Sequence, residues 1–445
     1  MPAPMKQTVR RSLLVTAASL TSLALTAPAS LAAPSPSPSK SPSPSKSASP
    51  STSASPSATP PATMSTVGGA RLGQAGTQVA LAGGAPVVPK DLTARSWIVA
   101  DAESGEVLAA HNPHWRLPPA STMKMLFADT VLPKFPRTTQ HKVVPKDLAG
   151  IGSGSSLVGI KENETYSVQD LWLGVFLRSG NDAVHVLSSM NGGVESTVKE
   201  MNQHAEELQA LDTHVVSPDG YDAPGQVSSA YDLTLIARSG LQKKDFREYC
   251  STVTAKFPGE TKKNKKGKKV RSSFEIQNTN RLLAGDYDIS QYPGIAGVKN
   301  GNTTNAGATF TGVAERAGRV LLVTVMNPEK SDHNEVYKET AKLFDWGFAA
   351  AGKVTPVGEL VPPQGAAPSA QASAQPGANP SSGESAQAGR GGGSQQPVAS
   401  AVADDGSRGM WTALGIAGGV LVLLAGGAYV VNRRWPLPDL VRRRR

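Results

Sequence analysis

The chain has 445 residues, of which 39% are hydrophobic and 18% charged, and a formal net charge of +10. Three of those charges precede Ser12 and five follow Val431, so only two remain on the body of the chain; the basic balance reports topology, and nucleic acid is not an expected partner. The single cysteine, Cys250, excludes an intramolecular disulfide framework, and the seven histidines show no His-x-x-x-His pair, so no metal site is expected.

Lys6, Arg10 and Arg11 precede an apolar, small-residue stretch, and Ser30-Leu31-Ala32-Ala33 offers small residues for cleavage. Residues 1–33 therefore read as a secretory signal peptide. Residues 34–86, rich in Pro, Ser and Ala and then in Gly, read as a disordered linker that cannot bury enough apolar surface to fold. Residues 87–361 are long enough for a large domain, or two lobes, with a substantial core.

Within that domain, residues 95–101 and 107–111 predict two strands joined by a turn at Glu103-Ser104-Gly105. Pro118-Pro119-Ala120 leads into a predicted helix that starts at Ser121 and that Pro133 ends. Ser167 is the expected cap of a helix running through Leu177. Ser179-Gly180-Asn181 interrupts it, and a further helix starts at Asp182. Residues 230–238 predict an amphipathic helix, 306–314 and 320–326 two late strands, and 334–348 a last helix. Six lysines between Lys262 and Lys269 are placed at the tip of a hairpin, and Cys250 is read as a small buried hydrophobe.

Residues 362–407 read as a second disordered linker. Residues 411–431 are 21 positions without a charge. At about 1.5 Å per residue they span roughly 31 Å, the thickness of a bilayer core. Trp411 and Tyr429 fit the two interfaces, and the six arginines from Arg433 to Arg445 place a basic tail, 432–445, in the cytoplasm. The expectation is a single-pass protein of the cell membrane, with its folded domain extracellular; that this domain faces the cell wall is what the family resemblance given below implies.

Ser121-Thr122-Met123-Lys124 sets a hydroxyl and an amine three residues apart, on one face of a helix. A serine hydroxyl is a poor nucleophile at neutral pH and needs an adjacent base. A lysine serves only when desolvation or a neighbouring cation lowers its pKa. Ser179-Gly180-Asn181 and Lys299-Asn300-Gly301 follow at well-separated positions. No Gly-x-Ser-x-Gly elbow surrounds a plausible serine, which disfavours a Ser-His-Asp hydrolase.

These three elements, in this order, resemble Ser-x-x-Lys, Ser-x-Asn and Lys-Thr-Gly of the serine penicillin-recognising enzymes. Over nearly all of residues 94–348 the chain is similar to the D-alanyl-D-alanine carboxypeptidases, the low-molecular-mass penicillin-binding proteins. Ser217-Pro218-Asp219-Gly220, Ser228-Ser229-Ala230-Tyr231-Asp232-Leu233 and Leu343-Phe344-Asp345-Trp346-Gly347-Phe348 carry the likeness beyond the motifs. The resemblance implies an α+β fold of the β-lactamase/transpeptidase kind. An antiparallel sheet lies between helices, and a helical subdomain forms the other wall of the active-site cleft. It implies that Ser121 attacks the bond between two D-alanines of a peptidoglycan stem peptide and that Lys124 takes its proton. Ser179 would relay protons, and Asn181 would position Lys124 and the substrate amide. Lys299 would pair with the terminal carboxylate and repel charge from Lys124. Asn300, Gly301 and Asn302 complete the substrate-binding strand, with the N–H groups of Ser121 and Asn302 as oxyanion hole. β-Lactams are the implied inhibitors, and no cofactor is called for.

One position departs from the pattern: Asn300 stands where the family usually has Thr. It is the single feature favouring a catalytically weak or non-catalytic wall-binding homologue. A serine β-lactamase would share the fold but needs a deacylating base, and no clear Glu-x-x-x-Asn of that kind is found.

Overall fold

The computed structural model describes residues 59–366. The expected signal peptide, membrane span and basic tail lie outside the described residues, as do residues 34–58 of the first linker and 367–407 of the second. Among the described residues no helix is long and apolar enough to cross a membrane.

The strands are β1 (Thr77–Val79), β2 (Ala94–Asp101), β3 (Glu106–His111), β4 (Gln140–Lys142), β5 (Thr165–Ser167), β6 (Thr254–Lys263), β7 (Lys269–Gln277), β8 (Ile295–Thr303), β9 (Gly307–Arg316), β10 (Arg319–Pro328) and β11 (Gly358–Glu359). The helices are α1 (Lys124–Val131), α2 (Val168–Arg178), α3 (Asn181–Met190), α4 (Val194–Glu207), α5 (Ala230–Gly240), α6 (Lys244–Ser251), α7 (Arg281–Ala284) and α8 (Glu335–Ala350). The main sheet is antiparallel, in the order β1-β3-β2-β10-β9-β8, with β11 also on β3. This is the expected α+β arrangement.

Period-two alternation divides the sheet into two buried faces. Trp97 and Val99 of β2 and Leu321, Val323 and Val325 of β10 join Leu343, Phe344 and Trp346 of α8. Ile98, Ala100, Leu322 and Met326 point the other way, into the core shared with α1, α2 and α5. Thr324 also faces that side, and its hydroxyl is satisfied by Thr234 of α5 at 2.7 Å and Thr311 of β9 at 3.0 Å. A buried hydroxyl is tolerated there because it is paired. Cys250 is buried, with its thiol pushed up by that burial to about 12.

The helical side is built by local signals. Ser167 accepts from Asp170 N–H at 3.1 Å while the Asp170 carboxylate accepts from Ser167 N–H at 3.0 Å, a reciprocal cap that starts α2. The β6–β7 hairpin forms a separate two-stranded sheet rooted on α2. Its tip is closed by Asn264, whose side-chain oxygen accepts from the N–H groups of Lys266 and Lys268.

The structure corrects the domain boundaries. Residues 59–86 fall in the expected linker, yet β1 pairs with β3 and Leu72 is fully buried. Leu72 packs against Gly358 of β11, and Glu359 N–H donates to Gly68 O at 2.8 Å. The low-complexity composition masked a segment that needs few side chains, because its contacts are mostly backbone to backbone. At the other end Gln364 N–H still reaches Glu207 O at 2.7 Å, beyond the expected end at Val361. The folded unit therefore includes both flanks. Leu72→Ala should lower the unfolding free energy by about 2–5 kcal/mol, read from urea denaturation; a loss under about 1 kcal/mol would make the segment an accessory.

Candidate active site

Ser121 does not start an α-helix. Residues Ala120–Met123 form a 3-10 turn, and α1 begins at Lys124. The expected proximity survives, since a 3-10 turn eclipses positions i and i+3. Lys124 Nζ donates to Ser121 Oγ at 2.8 Å, to Asn181 Oδ1 at 2.7 Å and to the Asp219 carbonyl at 2.5 Å. Three acceptors thus fix one buried amine from three segments of chain.

The turn is held by close backbone approaches. Ala120 is buried with φ at +51°, a conformation that an alanine enters only under constraint. Gly220, at φ +81°, sits where a Cβ would come within 1.9 Å of Ala120 O. Gly301 of β8 lies so near Ser121 N that a Cβ would be 2.7 Å away. Thr309 of β9 and Thr122 both donate to Pro119 O, tying the turn to the sheet.

Burial pulls the Lys124 amine down to about 8, against the Asp219 and Asp182 carboxylates, which raise it. Asp219 is itself buried, which raises its carboxyl; His185, Lys124 and Ser217 more than offset that and hold it at about 2. Its side chain accepts from Ser217 Oγ at 2.6 Å and Tyr221 N–H at 2.9 Å, and His185 Nε2 lies 3.6 Å away. Asp182 accepts from the N–H groups of Val158, Gly159 and Ile160, which fixes the loop before them. Asn181 Nδ2 donates to Ser155 Oγ on that loop at 3.0 Å.

Above the pair lies a cleft of about 240 Å³, lined by Ser121, Asn181, Ser153, Ser155, Tyr221 and Asn302 among others. Its far rim is stapled by Asp222, which accepts from Thr303 Oγ1 at 2.7 Å and Asn305 N–H at 3.0 Å. A larger hollow of about 730 Å³, between Leu235, Leu241 and Val320, shares no lining residue with this cleft.

The expected site residues therefore divide. Ser121, Lys124, Asn181 and Asn302 come together at the cleft, and Gly301 backs it. Ser179, at φ +56° between α2 and α3, is buried beneath, and its hydroxyl has no hydrogen-bond partner among the described residues. Lys299 Nζ is turned onto its own strand, donating to Asn300 O at 2.7 Å and Asn300 Oδ1 at 3.1 Å. Thr279 Oγ1 donates to the same Oδ1 at 2.9 Å. The amide of Asn300 is thus engaged internally, not aimed into the cleft as a stand-in for the threonine hydroxyl.

The two lysines also act on each other, since like charges repel. Burial and then the Lys124 charge hold the Lys299 amine well below the usual lysine range. Burial draws Lys124 down as well, and the Asp219 and Asp182 carboxylates offset part of that.

Sequence reasoning missed Asp219, Asp182 and His185 as supports of the amine and its loop. Asp219 stood within Ser217-Pro218-Asp219-Gly220, but nothing in its spacing from Lys124 marks contact across 95 residues. Two clusters of acid and imidazole groups also went unseen. His114 Nδ1 bonds Asp212 at 2.7 Å, and Asp212 N–H bonds Asp232, whose carboxyl is raised to about 8 by burial and the Asp212 charge. Asp286, Asp288 and His333 gather at the surface, where Arg281 and Lys338 pair with the carboxylates.

Known proteins resemble the chain in sequence and fold. A family model described as D-alanyl-D-alanine carboxypeptidase, Peptidase S11, matches residues 84–330. The D-alanyl-D-alanine carboxypeptidase DacB2 of Mycobacterium tuberculosis is 36% identical over 271 residues, covering 60% of this chain and 86% of that protein. DacD of Escherichia coli is 31% identical over 272 residues, covering 58% and 64%. A crystal structure of a D-alanyl-D-alanine carboxypeptidase from M. tuberculosis superposes with a TM-score of 0.55 at 34% identity, over 63% of this chain and 99% of that one. The Streptomyces K15 DD-transpeptidase, at 24% identity and a TM-score of 0.53, over 59% of this chain and 100% of that one, shares the fold. The chain is a member of the D-alanyl-D-alanine carboxypeptidase family, the S11 serine peptidases.

Proposed function

We propose that this chain is a serine carboxypeptidase that removes the terminal D-alanine from peptidoglycan stem peptides ending in D-Ala-D-Ala. The observation that carries this reading is the buried Lys124 amine, 2.8 Å from Ser121 Oγ and drawn down to about 8. Near neutral pH a useful fraction of that amine is free to accept a proton.

Ser121 Oγ attacks the carbonyl between the two D-alanines as its proton passes to Lys124. The oxyanion is held by the N–H groups of Ser121 and Asn302, a reading supported by both residues lining the cleft. The peptide C–N bond breaks, and the departing D-alanine amine takes the proton held by Lys124, relayed by the Ser179 hydroxyl, which is unpaired among the described residues of the unliganded site. Water, deprotonated by the freed Lys124 amine, then cleaves the acyl ester, and that proton passes back to Ser121 Oγ. Asn181 keeps Lys124 on line through its 2.7 Å bond. Lys299, released from Asn300, receives the substrate carboxylate, and a charge arriving there also stabilises its own ammonium form. β-Lactams present the same reactive carbonyl and are proposed as acylating inhibitors. The domain is proposed to work outside the cell, tethered by residues 411–431.

Incubation with a pentapeptide ending in D-Ala-D-Ala should release one alanine by mass, and Ser121→Ala should cut the rate by at least about 1000-fold. Equal loss of alanine with both proteins would end the reading. The Asp219 charge raises the Lys124 pKa, so Asp219→Asn should let the amine lose its proton at lower pH. The acid limb of the kcat/KM profile then moves to lower pH; a limb that stays put would remove Lys124 as the base. In the unliganded cleft Asn300 Oδ1 accepts from Lys299, and losing that acceptor returns about 1 kcal/mol. Asn300→Thr should therefore raise kcat/KM about fivefold; unchanged or lower turnover would show that Asn300 does not restrain Lys299.

A further inference from the structure

The site chemistry leaves one feature of the chain unused. Between Lys262 and Lys269, six of eight residues are lysines, and all eight are exposed. Lys262 pairs with Glu260 at 3.1 Å. None of the other five has a carboxylate within ion-pair distance among the described residues. Like charges packed this densely repel one another, and folding gains nothing from them.

The fold nevertheless holds this tip out. The Asn264 turn closes it, and β6 and β7 pair in register up to Lys263 and Lys269. The stem is anchored: Glu164 accepts from Thr261 N–H at 2.5 Å and from Thr261 Oγ1 at 2.9 Å. Arg271 donates to Thr165 O and stacks over the Tyr166 ring at 4.7 Å. Phe274 packs beside Gly159, in the segment whose N–H groups Asp182 fixes. That segment continues directly into Ser153 and Ser155 of the cleft wall. The cationic tip and the cleft are thus mounted on one continuous support.

We propose that the β6–β7 tip is a docking surface for a linear phosphate-bearing polyanion, captured alongside the substrate. The residue choice points to phosphate. Lysine ammoniums bind phosphate as point charges and so suit an irregular run of phosphodiesters, and residues 262–269 contain no arginine that would demand one fixed bidentate geometry. It also points away from a bilayer surface. Interfacial binding couples charge to apolar insertion, and residues 262–269 carry no apolar side chain; the nearest exposed ones, Val270 and Phe274, lie on the stem. The exported placement proposed above bears only on which polyanion the tip meets, not on whether it binds one.

The test uses the full-length protein in neutral detergent and end-labelled inorganic polyphosphate. Wild type should bind, and its affinity should fall at least about tenfold as salt rises from about 50 to 200 mM, because several counterions are released on binding. The variant with all six lysines changed to Gln should bind at least about tenfold more weakly. Its turnover of the soluble pentapeptide and its unfolding midpoint should be unchanged. Binding that is absent in wild type, or equal in the variant, overturns the proposal. So does displacement of polyphosphate by micelles doped with an anionic phospholipid at a lower phosphate concentration than free polymer requires, since headgroups would then be the better occupant. The readout is binding rather than hydrolysis, so it fails or succeeds separately from the activity.

Discussion

A lysine amine sealed from water beside a serine hydroxyl is the constraint around which this domain is arranged. An ammonium in that position is costly unless its hydrogens are all bonded. Ser121, Asn181 and the Asp219 carbonyl supply one acceptor each. They come from the 3-10 turn, from the start of α3 and from the loop before α5, so that a single nitrogen pins three otherwise separate parts of the chain. The carboxylates of Asp219 and Asp182 sit behind it, and each also organises backbone: Asp219 the turn at Tyr221, Asp182 the loop at 158–160. Electrostatic support and loop geometry are thus supplied by the same side chains.

The balance of those charges explains why the two lysines of the site behave differently. Lys124 is buried but flanked by acids, and its proton stays exchangeable near physiological pH. Lys299 is buried, feels the Lys124 charge and folds back onto Asn300. The unliganded cleft therefore holds one amine ready and one restrained. An incoming carboxylate supplies the compensation that Lys299 lacks, so substrate charge and cleft geometry complete each other.

Much of this was legible in the amino-acid order. Four strands of the central sheet, β2, β3, β9 and β10, were visible because Val, Ile and Leu alternate between two apolar faces, and α2 because Ser167 caps it. Ser121 and Lys124 were readable because their chemistry depends on a local spacing that a 3-10 turn and an α-helix both satisfy. The rest depended on tertiary contact. Asp219 meets the amine, with His185 beside Asp219 and the 153–155 loop bonded to Asn181, only because α3 and the 217–221 turn converge, and no local pattern encodes convergence. Asn300 was read as an altered substrate contact, because the motif names a residue type and not the direction in which its side chain lies. The segment around Leu72 escaped notice because glycine-rich composition resembles a tether even where backbone bonds hold it to a sheet edge.

The positions of β1 and β11 have a mechanical consequence. Both lie along the same free margin of β3, β1 opposite residues 109–111 and β11 opposite residues 106 and 107. The first and last strands thus share one border of the sheet, while Lys299 sits on β8 at the opposite border. Tension that passes the outer contacts, such as Gln364 with Glu207, reaches the short ladders on β3, and the β2, β10 and β9 ladders stand between that load and β8. A protein pulled at both ends would fray first where it has no chemistry to lose.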